Sequence, residues 1–159
     1  MWAVDGSDKI IEIVVMMLID SHTHLYAEDF CEDRDIVIKR AKAVGVTAVL
    51  LPNIDEKSIV PMSHLCDEYP DFAFPMMGLH PTSVDSHYFS KLQAIEKVLT
   101  KRSYCGIGEI GIDLHWQQGY LKEQKEVFEE QLMWSADLHL PVSIHVRDAF
   151  NEVIDSIYK

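Results

Sequence analysis

Short apolar segments alternate with longer amphipathic segments along most of the chain. The apolar segments have the length and the continuous hydrophobicity of strands that are buried on both faces of a sheet. The predicted strands are one that opens at residue 18 with LIDSHTHL, then VTAVLLP (46–52), FAFPMMGLHP (72–81), YCGIGEIGID (104–113) and LPVSIHV (140–146). Apolar residues at helical spacing predict helices over residues 33–44, 55–69, 88–102, 119–140 and 148–159.

This alternation predicts the fold class. Strand and helix follow one another five times, at intervals of about 30 residues. Such an order is typical of parallel strands that are joined by right-handed helical crossovers, so the class is α/β. No glycine-rich loop follows the first predicted strand, which argues against dinucleotide-binding and P-loop folds.

Residues 1–16 stand outside the alternation. They lack the basic first region of a secretion signal, and Glu12 interrupts an apolar run over residues 10–19 that is too short to span a membrane. Two interpretations remain open: an extension ahead of a natural start at Met17, or an ordinary additional strand. In either case we expect one domain over residues 17–159.

Composition and charge limit the function classes. The chain of 159 residues is 48% apolar and 25% charged, as in a single globular domain. The formal net charge of −12 argues against a protein that coats nucleic acid, because such proteins neutralise phosphates with lysine and arginine. Three widely spaced cysteines, at positions 31, 66 and 105, suit a reducing compartment, and we expect a cytoplasmic protein.

Potential metal ligands gather at the ends of four predicted strands. They are, in chain order, Asp20, His22, His24, His80, Glu109, Asp113 and His145, and Arg147, a residue type that binds phosphate, follows His145. In a βα protein the carboxyl ends of the strands carry the chemistry. Imidazoles bind divalent ions such as Zn²⁺ or Mn²⁺, a carboxylate such as Glu109 can bridge two of them, and the fork of Arg147 suits a phosphate. Gly108 and Gly111 predict room for a ligand beside Glu109.

Structural alternatives exist for several of these residues. Glu109 could belong to a structural ion pair, and His80 could be a hydrogen-bonded turn residue ahead of a proline. Arg147 could pair with Asp148. Trp116, in the loop after the fourth predicted strand, is expected to be a packing residue. No role in the site is predicted for the remaining histidines, which are His64, His87, His115 and His139.

The segments LIDSHTHL, GLHP, GIGEIGID and LPVSIHVRDA occur in this order and closely resemble the TatD family of metal-dependent deoxyribonucleases. The resemblance implies an amidohydrolase-like TIM barrel that hydrolyses phosphodiesters, notably in 3′-end trimming of DNA, with one or two divalent ions (Zn, Mn or Mg). By motif position, His22 and His24 resemble ligands of the first ion, Glu109 the bridging carboxylate, and His145 a ligand of the second ion. Glu109 and His145 are thus the expected catalytic residues, and His80 and Arg147 the expected substrate-binding residues.

The resemblance covers about the first three-fifths of such a barrel, whose eight βα units need about 250 residues. The family carries a further histidine and a water-activating aspartate on later strands, and neither has a counterpart here. We therefore expect a (β/α) barrel truncated after about five units, with impaired activity, or with a second chain or a missing C-terminal segment that completes it. Two other hypotheses stay open: an amidohydrolase that acts on a small C–N or ester bond, and an inactive remnant that binds metal or a partner chain.

Overall fold

The computed structural model describes residues 2–4, 10–12 and 17–159. Strand β1 (Trp2–Val4) pairs with β2 (Ile10–Glu12) in a two-stranded antiparallel sheet. The rest of the segment 1–16 lies outside the described residues, so its assignment as an extension stays a prediction.

A parallel sheet of five strands forms the frame of the domain. Its strands lie side by side in chain order: β3 (Leu18–Asp20), β4 (Val46–Pro52), β5 (Ala73–Met77), β6 (Gly106–Asp113) and β7 (Val142–Arg147). The sheet is curled so that its two edges approach each other. Nδ1 of His22, just after one edge strand, lies 3.1 Å from Oγ of Ser143 in the other edge strand. Sequential order and curling are typical of a (β/α) barrel, which confirms the predicted fold class.

Five α-helices follow the strands, as the sequence predicts. They are α1 (Arg34–Ala43), α2 (Ile59–Glu68), α3 (Tyr88–Leu99), α4 (Leu121–Leu138) and α5 (Phe150–Ile157). Their ends lie within a few residues of the predicted ones. The largest difference is at the start of α2, where the carboxylate of Asp55 accepts the backbone N–H groups of Lys57 and Ser58, each at 3.0 Å, and holds them in a turn. Within the described part of the chain, no helix is both long and apolar enough to cross a bilayer.

Strand β6 lies deepest in the domain. All eight of its residues are buried, and Ile107, Ile110 and Ile112 are 0% exposed. The edge strands differ: in β3, Leu18 is 38% and Ile19 65% exposed. The acidic side chains of β6 therefore lie in the interior, where a charge needs a partner.

The glycines of β6 have a different role from the predicted one. A Cβ atom at Gly111, where φ is +145°, would lie 2.0 Å from the carbonyl oxygen of His145, and one at Gly108 would lie 2.7 Å from Cβ of Ser143. The space beside these two glycines is therefore filled by strand β7 rather than by a ligand. The prediction that the glycines make room for a ligand is wrong. Close approach of β7 brings His145 next to Glu109.

The predicted strand over residues 72–81 is shorter in the structure, where β5 ends at Met77. Beyond it the chain turns into a short 3₁₀-helix, Pro81–Ser83, because Nδ1 of His80 accepts the N–H of Thr82 at 3.2 Å. The turn interpretation of His80 is thus confirmed, and the turn aims its other ring nitrogen at the site described next.

Candidate metal centre

The carboxylate of Glu109 lies among four imidazole rings at the carboxyl end of the sheet. Glu109 is only 7% exposed. Its Oε2 atom lies 3.1 Å from Nε2 of His22 and 3.5 Å from Nε2 of His24. Its Oε1 atom lies 3.0 Å from Nδ1 of His145 and 3.7 Å from Nε2 of His80. Each carboxylate oxygen therefore faces its own pair of imidazoles.

In two of these rings, an oxygen atom on the side away from Glu109 determines which ring nitrogen carries the proton. Nδ1 of His24 lies 2.8 Å from the hydroxyl oxygen of Tyr26, whose own proton is donated to the carbonyl oxygen of Pro52, so this nitrogen is placed to donate a proton. Nε2 of His145 lies 2.9 Å from Oδ2 of Asp113, and it too carries a proton. When each ring is neutral, the nitrogen that faces Glu109 is therefore the one left to offer a lone pair to a cation.

His80 is arranged in the opposite way. Because its Nδ1 accepts the N–H of Thr82, a neutral ring carries its proton on Nε2. That nitrogen lies 3.1 Å from Nδ1 of His145. His80 therefore presents a hydrogen-bond donor to the site in its neutral form, which suits a substrate oxygen better than a metal ion.

The charges of the site are coupled. Burial disfavours the ionised form of Glu109, but hydrogen bonds from His145, His24 and His80 hold the pKa of its carboxyl well below the usual range. The hydrogen bond to Glu109 raises the pKa of His145, burial opposes this, and Asp113 adds to the rise. The buried carboxylate thus holds positive charge beside it, either as a proton on His145 or as a bound cation.

Two groups of side chains have the geometry to hold a metal ion. Within each group the potential ligand atoms lie within 4.8 Å of one another: His22, His24 and Glu109 in the first, and His80, Glu109 and His145 in the second. Nε2 of His22 and Nε2 of His24 are 3.3 Å apart. Two imidazole nitrogens and a carboxylate oxygen that converge so closely can serve as donors to a divalent ion, and Glu109 belongs to both groups.

Two further buried polar residues complete the site. Asp113, 0% exposed, is one of the potential ligands at the predicted strand ends, but the sequence assigns it no specific role. Asn53, also 0% exposed, follows β4, and its carbonyl oxygen accepts the N–H of Glu109 at 3.1 Å. The signal for Asn53 was available, since β4 was the one predicted strand whose end had no polar residue assigned.

Arg147 and Trp116 lie together beside this group. The guanidinium of Arg147 is 5.5 Å from the centre of the Trp116 ring. Asp148 pairs with His115, Oδ2 to Nδ1 at 3.2 Å, rather than with Arg147. Trp116 is 68% exposed, so the expectation that it packs in the interior is wrong.

Comparison with known proteins gives a family match over residues 19–159, to the family described as TatD related DNase. The metal-dependent hydrolase YabD of Bacillus subtilis is 37% identical over 144 residues, which cover 87% of this chain and 54% of YabD. The 3′-5′ ssDNA/RNA exonuclease TatD of Yersinia pseudotuberculosis is 32% identical over 138 residues, covering 87% of this chain and 53% of that protein.

A solved structure agrees with the fold. The crystal structure of YjjV, a TatD homolog from Escherichia coli K12, superposes with a TM-score of 0.79 at 25% sequence identity, and covers 88% of this chain and 54% of YjjV. The chain thus spans about half the length of the curated relatives and of the structure that it matches.

Proposed function

The chain belongs to the family of TatD-related DNases, and on that premise we propose that it hydrolyses phosphodiester bonds in DNA with divalent metal ions. The observation that carries the proposal is the position of Glu109, with one carboxylate oxygen facing His22 and His24 and the other facing His145. A relative, the TatD exonuclease of Yersinia pseudotuberculosis, acts by its name on single-stranded DNA and RNA in the 3′-to-5′ direction. We infer 3′-end trimming for this chain as well.

We propose two ions, of Zn²⁺, Mn²⁺ or Mg²⁺. His22, His24 and Glu109 would hold the first, and Glu109 with His145 the second. When bound, such ions supply Lewis-acid stabilisation of a phosphate and lower the pKa of water. The donor set supports this assignment, because imidazole and carboxylate together suit these metals.

The side chains around the ions would bind and orient the phosphodiester. Arg147, exposed and two residues beyond His145 on the same face of β7, offers a bidentate fork to phosphate oxygens. His80 offers the Nε2–H group that its turn fixes. Glu109 keeps its carboxylate ionised, because the surrounding imidazoles hold its pKa low. The net charge of −12 favours short or terminal pieces of nucleic acid over long duplexes.

The proposal predicts that hydrolysis depends on metal and on Glu109. A 5′-labelled single-stranded oligonucleotide should be shortened in Mn²⁺ or Mg²⁺ and left intact in EDTA. Glu109→Gln should lower the rate by roughly a hundredfold or more, because the shared ligand of both ions is weakened. Glu32→Gln, a change of an exposed glutamate, serves as the matched control and should leave the rate unchanged.

A substrate panel separates this function from its rivals. Cleavage of cyclic amides or lactones, with DNA left intact, would contradict the proposal and support an amidohydrolase. Metal binding without turnover on any of these substrates would support a binding role instead. Equal activity of the wild-type and Glu109→Gln chains on DNA would show that the site is assigned wrongly.

We also propose that additional polypeptide continues the sheet at its edges. Ile19 of β3 is 65% and Val146 of β7 44% exposed, and both strands have a free edge in the described sheet. The matched relatives are about twice as long as the region they share with this chain. Sedimentation of the purified chain should show association, and a stable monomer with full turnover would contradict this proposal.

The state of the three cysteines bears on the cellular compartment in which the protein works. All three are free thiols, with Cys66 buried and Cys31 exposed. Free thiols suit a reducing compartment, and we propose that the protein works in the cytoplasm.

A further inference from the structure

An exposed tryptophan stands beside the candidate metal centre. Trp116, in the loop after β6, is 68% exposed, whereas Trp134 in α4 is 8% exposed. A large aromatic surface in water is unfavourable, and this one lies next to a candidate active site.

The backbone of Trp116 is held by Asp113, a buried residue of the candidate metal centre. Its backbone N–H donates to Oδ1 of Asp113 at 2.6 Å, and the N–H of His115 donates to the same oxygen at 2.9 Å. The other carboxylate oxygen, Oδ2, accepts the Nε2–H of His145 at 2.9 Å. One buried carboxylate therefore places both the proposed ligand His145 and the exposed indole.

A cation and a second ring accompany the indole. The guanidinium of Arg147 lies 5.5 Å from the centre of the Trp116 ring, and the ring of His115 meets the indole edge-on with centroids 4.6 Å apart. Asp148, the acidic neighbour, pairs with His115 at 3.2 Å, which leaves the charge of Arg147 available to an anion. A flat aromatic face beside an arginine is the combination that stacks nucleobases and holds the adjoining phosphate.

We propose that Trp116 and Arg147 form a subsite that stacks one base of a single-stranded nucleic acid next to the phosphate that is cleaved. The proposal rests on the phosphodiesterase function proposed above. It deepens that function, since it requires an unpaired base at the site and predicts that any base is accepted, because every base has a π-face. Arg147 then contacts the base stack on one side and the phosphate on the other.

The test compares an oligonucleotide that has bases with one that lacks them. We would measure the affinity of a labelled oligothymidylate and of an abasic oligonucleotide of equal length, both with phosphorothioate linkages and in Mn²⁺, by fluorescence anisotropy. Trp116→Ala should weaken binding of oligothymidylate by about tenfold, within the range known for base–aromatic stacking, and leave the abasic affinity unchanged. Trp116→Phe should restore most of the loss.

Phe89 provides the matched control, since it is 62% exposed and lies on α3, outside the proposed site. Phe89→Ala should change neither affinity. An equal loss on both oligonucleotides, no loss on either, or no binding by the wild-type chain would each overturn the subsite. A circular dichroism spectrum of Trp116→Ala checks that the variant is folded.

Failure of the subsite and failure of the proposed function give different results. If Mn²⁺ binds and DNA is cleaved but Trp116→Ala binds oligothymidylate as wild type does, the subsite alone is wrong, and Trp116 is left to contact another polypeptide. If base-dependent binding is seen without Mn²⁺ binding or cleavage, the phosphodiesterase proposal is wrong and the stacking site stands.

Discussion

At the scale of single residues, the candidate site depends on carboxylates that fix imidazole rings. Glu109 faces the rings directly, and Asp113 lies behind one of them, with Oδ2 at 2.9 Å from Nε2 of His145. Burial opposes the ionised form of Asp113, but the N–H of Trp116 and the side chain of His145 hold the pKa of its carboxyl below the usual value. Asp113 is thus a charged acceptor that keeps a proton on Nε2 of His145 and turns Nδ1 toward Glu109.

Asp113→Asn therefore tests this positioning role. The substituted amide places an N–H₂ group where an acceptor stood or gives up its hydrogen bonds to the backbone, and either change disturbs the ring of His145. Divalent-ion affinity should fall about 10- to 100-fold, as measured by competition with a chromophoric chelator. Asp155→Asn, at an exposed position of α5, is the control, and an affinity equal to wild type in Asp113→Asn would contradict the role.

Cysteine reactivity provides a second test at this scale. Burial raises the pKa of Cys66 to about 11, and burial also raises the pKa of Cys105. Since only the thiolate reacts, at pH 8 the exposed Cys31 should be alkylated first and Cys66 last, and raising the pH toward 11 should speed the reaction of Cys66. Mass spectrometry of the labelled peptides would show this order, and all three should react alike in denaturant.

The candidate ligand residues could be predicted from the sequence because their types and their positions in or after apolar segments are local features. His22, His24 and His145 lie near or just after the ends of apolar segments and Glu109 lies within one, and the topology brings these segments together. The specific role of Asp113 and any role of Asn53 could not be predicted, because both depend on hydrogen bonds to residues of other strands, which no spacing along the chain reveals.

At the scale of secondary structure, helix α4 ties two strand ends to the domain through buried amides. The side chain of Gln124 accepts the N–H of Asp113 at 2.7 Å and donates to the carbonyl oxygens of Asp113 at 3.1 Å and Gln117 at 2.6 Å. Two turns later, Gln131 accepts the N–H of Leu79 at 2.7 Å and donates to its carbonyl oxygen at 3.3 Å. The two glutamines thus fix the residues just before His80 and at the end of β6.

Gln124→Leu should destabilise the fold strongly. It leaves buried backbone groups of Asp113 and Gln117 without partners, and each unpaired group costs about 1–3 kcal/mol. We expect the free energy of unfolding in urea to fall by about 3 kcal/mol or more. Gln93→Leu, on an exposed face of α3, should change it little, and similar values for the two variants would show that the amide contacts of Gln124 are unimportant.

The alternation of apolar and amphipathic segments was enough to predict the order and type of these elements. It could not predict that Gly108 and Gly111 make room for β7, because close packing of two strands depends on the neighbour rather than on the glycine. Nor could helical spacing show that the polar Gln131 lies in the interior. Such a residue is buried because the backbone N–H and carbonyl groups of Leu79, just beyond β5, are its hydrogen-bond partners.

At the scale of the whole molecule, the curled sheet brings its two edges to the same site. His22 follows β3 and His145 lies in β7, the strands at opposite edges, yet both face the carboxylate of Glu109. Curling is therefore necessary for the two proposed ion sites to share a ligand. The chain achieves this within about half the length of its matched relatives, and we propose that the described residues alone bind the ions.

Isothermal titration of the metal-free chain with Mn²⁺ and with Zn²⁺ tests that claim most directly, with Glu109→Gln measured in parallel. Since Glu109 is the ligand that both ion sites share, the account predicts two ions per wild-type chain and loss of binding, or a large loss of affinity, at both sites in the variant. A wild-type chain that binds neither metal, or a Glu109→Gln chain that binds both ions as tightly as wild type, would contradict it.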